Sequence, residues 1–228
     1  MREIAFDTET TGLSPHEGHR LVEIGCVELV NRVETGRTFH AYFHPERTMP
    51  PGAFAVHGLS DAFLSDKPLF SATAAALVEF LEDAPLVAHN ASFDFGFLNG
   101  EFGRCGHAAI CMTRMVDTLA LAKTRHPGAK LSLDALCSRY GIDRSHRVLH
   151  GALLDAQLLA QVYVELIGGR QIGLSLVNDV GGDTLVRTVQ PSQVRPARVF
   201  APSGGELAAH AAFMAAIPDS LWGAAASG

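Results

Sequence analysis

The sequence lacks any uncharged apolar stretch of about 18 or more residues, the length that a helix needs to cross a bilayer. It begins with Met1-Arg2-Glu3 and a strand-like run, and it lacks the long apolar segment of a signal peptide. We therefore expect a cytoplasmic protein that does not associate with membranes.

Cysteine is scarce, with four residues in 228, and none of them belongs to a CxxC pair or to another metal-ligand spacing. This absence argues against a thiolate zinc site and against a disulfide framework. In a reducing compartment the simplest interpretation is that all four are small buried hydrophobic side chains, at Cys26, Cys105, Cys111 and Cys137.

Positive charge is also limited. The chain has 18 Lys and Arg residues against 24 Asp and Glu residues, which gives a formal net charge of −6. A protein that holds nucleic acid by neutralising phosphates is usually basic. Any binding of DNA or RNA is therefore expected to be weak or confined to a site. With 47% hydrophobic residues, the chain can bury one full core, followed by a tail.

The sequence does contain a pair of acids, Asp7 and Glu9, at the end of a short apolar run. Residues two apart on a strand point to the same face, so both carboxylates project side by side. A site that keeps both ionised must supply positive charge, and oxygen ligands suit a hard divalent ion such as Mg²⁺ or Mn²⁺. The pair alone fits a solvated strand end equally well, because Asp and Thr are also turn-forming residues.

The hydrophobic pattern predicts an α/β protein. Segments 2–7, 20–30 and 37–43 are rich in β-forming residues and indicate an antiparallel meander, and 86–89 indicates a buried strand of the same sheet. Pro50-Pro51-Gly52 is interpreted as a break in the chain. Further elements are predicted as a short helix capped by Ser60, helices at 69–81, 93–102, 118–125, 132–140 and 151–167, and a last strand at 115–117.

Two more acids and a histidine occupy informative places. Asp94 follows the buried strand, at its end or on the first helical turn, where the helix dipole alone also favours an acid. His150 precedes the last long helix, and Asp155 projects from that helix among leucines, where an unpaired carboxylate is costly to bury. A metal ion removes that cost.

The strings DTETTG, HNASFD and HGALLD, in this order and these settings, resemble the three motifs of the DEDDh family of 3′→5′ exonucleases. The resemblance covers roughly residues 2–168. It implies a ribonuclease H-like fold with a mixed central sheet flanked by helices. The related class has a tyrosine four residues before the last Asp, and this chain has Gly151 there, so the histidine class matches better.

Carried over residue by residue, the resemblance implies that Asp7, Glu9, Asp94 and Asp155 hold two divalent metal ions, Mg²⁺ or Mn²⁺. It implies that His150 is the general base. The substrate, a single-stranded or frayed DNA 3′ end, meets Asp7, Glu9 and Asp155 at this site.

Two weaker motifs extend the predicted substrate site. Thr10 follows the acids and is placed to hold the terminal nucleotide by backbone contact, and His57 lies in a segment that resembles the one packing against the 3′-terminal base in this family. A generic turn fits both segments as well.

From residue 177 the composition changes. Gly, Pro, Ser and Arg recur without helical periodicity, which predicts a flexible linker over 177–205. Residues 206–216 are alanine-rich and compatible with a helix, and the only tryptophan, Trp222, follows them. A disordered end fits this tail, but an aromatic anchor favours a tail that docks onto a partner.

The tail is similar to that of proofreading subunits of bacterial replicative polymerases. The resemblance divides the chain into an exonuclease domain at 1–170, a sliding-clamp motif at 171–176, the linker, and a polymerase-binding tail at 206–228 through Trp222. The clamp contacts are Gln171, Leu174 and Leu176, where Leu176 replaces a preferred Phe. The implied partners are the polymerase subunit, the sliding clamp and a small stabilising subunit.

Two alternatives stay open at this point. An RNA-trimming exonuclease of the same fold usually acts as a self-contained dimer, which the extended tail argues against. A non-catalytic interaction module would keep the acids only as relics, which the presence of all five chemical residues argues against.

Overall fold

A computed structural model describes residues 1–145, 149–169 and 201–217 of the chain. In these ranges the strands are β1 Arg2–Thr10, β2 Leu21–Val30, β3 Val33–Tyr42, β4 Leu86–Ala88 and β5 Met115–Asp117. The α-helices are α1 Pro51–His57, α2 Asp61–Leu64, α3 Phe70–Leu81, α4 Ser92–Arg104, α5 Thr118–Arg125, α6 Leu133–Tyr140, α7 Ala152–Leu166 and α8 Gly204–Ala215.

The strands form one mixed sheet in the order β3-β2-β1-β4-β5. Strands β1, β2 and β3 pair antiparallel, whereas β4 pairs parallel to β1 and to β5. The predicted meander, the buried strand and the ribonuclease H-like mixed sheet are therefore confirmed.

Alternation along β1 sends neighbouring side chains to opposite faces of the sheet. Ile4 and Phe6 join the larger core, with residues of α3 and α4. Ala5 joins a second core with Ala156 and Ala160 of α7. Burying a large apolar side chain such as Ile4 or Phe6 contributes about 1.5–3 kcal/mol, and this burial fixes which helix covers which face. The odd-numbered acids of β1 consequently face α7.

Helix α7 approaches the sheet very closely at Gly25. A Cβ atom at this position would lie 2.3 Å from the Cα atom of Leu153, so only glycine fits. Gly25 is the cross-strand partner of Asp7. The missing side chain thus lets the first turn of α7 settle directly beside the acidic end of β1.

The Pro50-Pro51-Gly52 segment differs from the prediction, because helix α1 begins there. Pro51 occupies the first helical position, where its missing N–H costs nothing and its fixed φ suits a helix. The helix ends at His57, and Gly58 closes it in the left-handed conformation with φ 73°. This start signal was misinterpreted as a break.

Two smaller predictions are also corrected. Cys26 and Cys137 are buried as expected, but Cys105 is only partly buried and Cys111 is exposed. Helix α8 begins at Gly204, inside the predicted linker, with Ser203 and Glu206 forming a capping box. None of the helices in the described ranges combines the length and apolarity that crossing a membrane requires.

Candidate active site

The end of β1 supplies the first two acids. Asp7 is partly exposed, whereas Glu9 is buried, and both lie on the face covered by α7. Thr8 between them points to the opposite face, where its hydroxyl donates to Asp94 at 2.6 Å. The strand therefore positions two carboxylates directly and steadies a third through a hydrogen bond.

The start of α7 supplies the next two groups. Asp155 lies on the first turn and is buried, and His150 precedes the helix, with Nδ1 3.3 Å from Asp155 Oδ2. The His150 side chain is 47% exposed, so its ring also remains open to the cleft. One potential ligand atom each from Glu9, His150 and Asp155 lies within 4.8 Å of the other two.

The turn between β4 and α4 presents Asp94 on the first turn of α4. In this turn Asn90 adopts φ 61°, a left-handed conformation that costs energy in a non-glycine residue. The Asp117 carboxylate accepts a hydrogen bond from the Asn90 N–H at 3.0 Å and caps α5 by accepting from the Leu119 N–H at 2.9 Å. The Asp117 side chain, at the end of β5, therefore holds in place the turn that carries Asp94.

The acids raise one another's affinity for protons. Burial raises the pKa of Asp7 well above its ordinary value, and the nearby charges of Asp94, Glu9 and Asp155 raise it further. Burial likewise raises the pKa of Asp94 to about 7, although the hydrogen bond from Thr8 opposes the change. Such a cluster of oxygen donors fits divalent cations, because their charge relieves this repulsion.

Two cavities flank the acids. The first has a volume of about 600 Å³ and contains all four acids and His150. Its other lining residues come from β1, from the segment 89–93 and from α5 to the start of α6, and they are Thr8, His89, Asn90, Phe93, Leu119, Lys123, Ala129, Leu131, Ser132 and Leu133. The second, of about 530 Å³, is lined largely by the segments 8–19 and 50–57 and includes the predicted substrate residues Thr10 and His57. Thr8, Glu9 and Phe93 line both, so the two cavities adjoin.

His57 lines the second cavity, and the Nε2 atom of its ring is buried. Its Nδ1 accepts a hydrogen bond from the Leu59 N–H at 3.0 Å, so the neutral ring carries its proton on Nε2. Burial lowers the pKa of His57 and keeps the ring neutral. Within the described part of the chain, the buried Nε2 atom has no hydrogen-bond partner. A buried donor without a partner favours a ligand that can accept a hydrogen bond from it.

The structure brings Asp7, Glu9, Asp94, His150 and Asp155 together at one cleft. The predicted contacts Gln171, Leu174, Leu176 and Trp222 lie outside the described residues.

Two residues at or beside the site were not predicted from the sequence. Phe93 packs against the larger core, but it is only partly buried and also lines both cavities. Glu23 is a buried fifth acid, directly across from Glu9 on β2, with His40 Nε2 2.8 Å from its carboxylate. An acid inside the apolar run 21–24 was the available signal, since a buried carboxylate requires a partner.

Residues 4–163 match the family model described as Exonuclease, which is that of ribonuclease T. The DNA polymerase III subunit epsilon of Rickettsia prowazekii is 48% identical over 94% of this chain and 96% of its own length. The corresponding subunit of Escherichia coli is 44% identical over 92% of this chain and 91% of its own length.

Solved structures show the same fold. Exonuclease X, in complex with 5′ overhanging duplex DNA, has a TM-score of 0.54 and 26% identity over 73% of this chain and 90% of its own. The nuclease domain of 3′hExo, a DEDDh family member bound to rAMP, has a TM-score of 0.63 and 17% identity, covering 73% of this chain and 91% of its own. The exonuclease fold implies divalent metal ions. The chain belongs to the exonuclease family and, within it, to the DNA polymerase III epsilon subunits.

Proposed function

We propose that this chain is the proofreading 3′→5′ exonuclease of a bacterial replicative polymerase and removes mispaired 3′-terminal nucleotides as mononucleotides. The observation that carries the proposal is the convergence of Asp7, Glu9, Asp94, Asp155 and His150 at one cleft. Their segments lie far apart in the sequence, and the fold brings all five to the first cavity, which adjoins the second through Glu9.

Four carboxylates are assigned to two divalent ions, Mg²⁺ or Mn²⁺. Asp7, Glu9 and Asp155 would hold one ion, and Asp7 and Asp94 would hold the other, because the charges of Glu9, Asp94 and Asp155 all act on Asp7. The raised pKa of Asp7, caused by burial and by these charges, supports the assignment. When bound, the ions lower the pKa of water and stabilise charge on the phosphate.

His150 is assigned the proton of the attacking water. Nδ1 of His150 lies 3.3 Å from Asp155 Oδ2, and this contact orients the ring so that Nε2 can accept the proton of the water. The water oxygen forms a bond to phosphorus as the bond to the 3′ oxygen of the preceding nucleotide breaks. That oxygen takes a proton from solvent, and the terminal residue leaves as a nucleoside 5′-monophosphate.

The terminal nucleoside is assigned to the second cavity. Thr10 lies at the end of β1 beside the acids, and the buried His57 Nε2–H supplies a donor for an oxygen or ring nitrogen of the nucleotide. Phe93 adds an aromatic surface on which a base can stack. The cavity has a volume of about 530 Å³, which is enough for the nucleoside of a frayed or single-stranded end.

The remaining segments are assigned to partners in the cytoplasm. Gln171, Leu174 and Leu176 bind the sliding clamp, and the tail with Trp222 binds the alpha subunit of DNA polymerase III. A small stabilising subunit is a further expected partner. Helix α8, with Leu207 and Phe213 exposed, supports a tail that buries apolar surface against a protein. Tethering raises the local concentration of DNA ends for a chain with net charge −6.

The test incubates the purified protein with Mg²⁺ and either a 3′-labelled mismatched DNA primer or a matched RNA, with Asp7→Ala as the control. We expect labelled mononucleotides from DNA and none from the variant. Preference for RNA would indicate an RNA-trimming enzyme, and no release from either substrate would indicate a binding module.

A further inference from the structure

The cleft carries very little positive charge for a site that acts on a polyanion. Among the described residues that line the two cavities, Lys123 is the one lysine or arginine. It lies in the last turn of α5 and is exposed. In the described ranges it makes no ion pair, in contrast to Lys67, whose Nζ lies 2.8 Å from Asp66. Its charge is therefore available to a ligand.

The two cavities accommodate different parts of the proposed substrate. The scissile phosphate lies at the acids, which line the first cavity, and the terminal nucleoside occupies the second cavity beside His57. The rest of the DNA strand must then continue from the 5′ side of the scissile phosphate across the first cavity. That side carries Lys123 on α5 and the N-terminal end of α6, with Ser132 and Leu133, whose backbone dipole favours an anion.

We propose that Lys123 binds a backbone phosphate on the 5′ side of the scissile bond and so makes the enzyme favour a strand over an isolated nucleotide. The inference rests on the proposed function and adds a substrate-binding residue to it. Phosphates approaching the acids meet repulsion, and an ammonium group beyond the acids offsets it at the position that the strand must cross.

The experiment compares Lys123→Gln, Lys123→Arg and wild-type full-length protein on two substrates. One is single-stranded oligo(dT). The other is the p-nitrophenyl ester of thymidine 5′-monophosphate, which has the terminal nucleotide and the scissile phosphate but no further phosphate on the 5′ side of the scissile bond. Lys67→Gln is the control, because it removes the same charge outside both cavities. Fluorescence anisotropy with Ca²⁺ in place of Mg²⁺ measures oligo(dT) binding without depending on turnover.

We expect Lys123→Gln to raise the KM and Kd for oligo(dT) about 3- to 10-fold and to weaken their salt dependence. Hydrolysis of the ester should stay at the wild-type level, Lys123→Arg should restore oligo(dT) binding, and Lys67→Gln should match wild type.

Two results would overturn the inference: equal losses on both substrates, or an unchanged Kd for oligo(dT). If wild-type protein cleaves neither substrate, the proposed function is wrong, and the anisotropy result still decides whether Lys123 contacts the strand.

Discussion

Asp7 is surrounded by acidic neighbours, and this crowding is the main electrostatic feature of the cleft. Burial and the charges of Asp94, Glu9, Asp155 and Glu23 all raise its pKa. Without a cation, these repulsions destabilise the folded protein when the acids are ionised. With one, the same carboxylates become a strong ligand set. The arrangement of acids therefore favours metal binding, and it lowers the stability of the folded protein when no metal is bound.

This balance predicts the pH dependence of the metal-free protein. Asp7 and Asp94 have folded pKa values above the ordinary value of 3.8, that of Asp94 at about 7. Their contribution to stability is present below the unfolded pKa and is lost as the pH rises through the folded pKa. In EDTA, the free energy of unfolding should therefore fall between about pH 4 and pH 7 on this account.

Asp7→Asn removes one ionisable group and should raise the Tm in EDTA at pH 8 by about 2–6 °C. The difference should shrink toward pH 4, where the wild-type carboxyl is neutral, and Mn²⁺ should stabilise the wild type more than the variant. Thermal unfolding at both pH values checks this. A wild type more stable than the variant at pH 8 in EDTA would show that the repulsion is absent.

His150 has a separable role. His150→Ala should lower turnover about 10²- to 10⁴-fold, the usual effect of losing a positioned base, while metal and DNA still bind. Single-turnover cleavage of labelled DNA, together with anisotropy for binding, separates the two effects. His16→Ala, an exposed histidine that lines neither of the two cavities, serves as the control. A near-normal rate in His150→Ala would remove this residue from the mechanism.

At the scale of elements, the contact between α7 and the sheet brings the separate motifs together. Gly25 leaves room for the backbone of Leu153, and Asp155 lies in the first turn of the same helix. Any displacement of α7 from β2 therefore moves Asp155 and His150 relative to the acids of β1.

Gly25→Ala tests this contact. The added Cβ would lie 2.3 Å from the Cα and N atoms of Leu153, so the helix must shift, and we expect a loss of about 1–3 kcal/mol in unfolding free energy. Cleavage activity should fall further than the stability loss explains. Denaturant unfolding and turnover on the folded variant measure both.

Gly103→Ala in α4 is the matched control, because a Cβ there meets no atom within 4 Å. Alanine is the better helix former, so this variant should be as stable as wild type or more so. Wild-type activity in Gly25→Ala would contradict the proposed role of the α7 contact.

Much of this arrangement was accessible from the sequence. Alternation on β1 placed Asp7 and Glu9 on one face, and the buried strand before Asp94 gave its position at the start of a helix. Contacts formed only by tertiary packing were not accessible. The Thr8 hydroxyl reaches Asp94 across 86 positions in sequence, and local patterns carry no trace of such a pair. The start of α1 at Pro51 was missed because proline marks both breaks and first helical turns.

At the scale of the whole molecule, the net charge of −6 gives the protein little electrostatic attraction to DNA. The proposed answer is attachment to partners through the clamp motif and the tail, which raises the local concentration of substrate. Because the two segments are separate in sequence, their effects should also be separable.

Trp222→Ala should weaken binding to the polymerase alpha subunit about tenfold or more, since a tryptophan anchor often dominates an interface. Gln171→Ala should weaken binding to the sliding clamp and leave polymerase binding intact. Each variant is the control for the other, and calorimetry with each purified partner measures both. Normal polymerase binding by Trp222→Ala would show that the tail contact lies elsewhere.

We propose that the acids of the cleft bind divalent ions at the place where the terminal phosphodiester bond is hydrolysed. The most direct measurement is anomalous scattering from crystals grown with Mn²⁺ and thymidine 5′-monophosphate. We expect two manganese peaks within about 2.5 Å of carboxylate oxygens of Asp7, Glu9, Asp94 or Asp155, with the phosphate beside them. The absence of peaks in the cleft, or manganese bound only elsewhere, would contradict it.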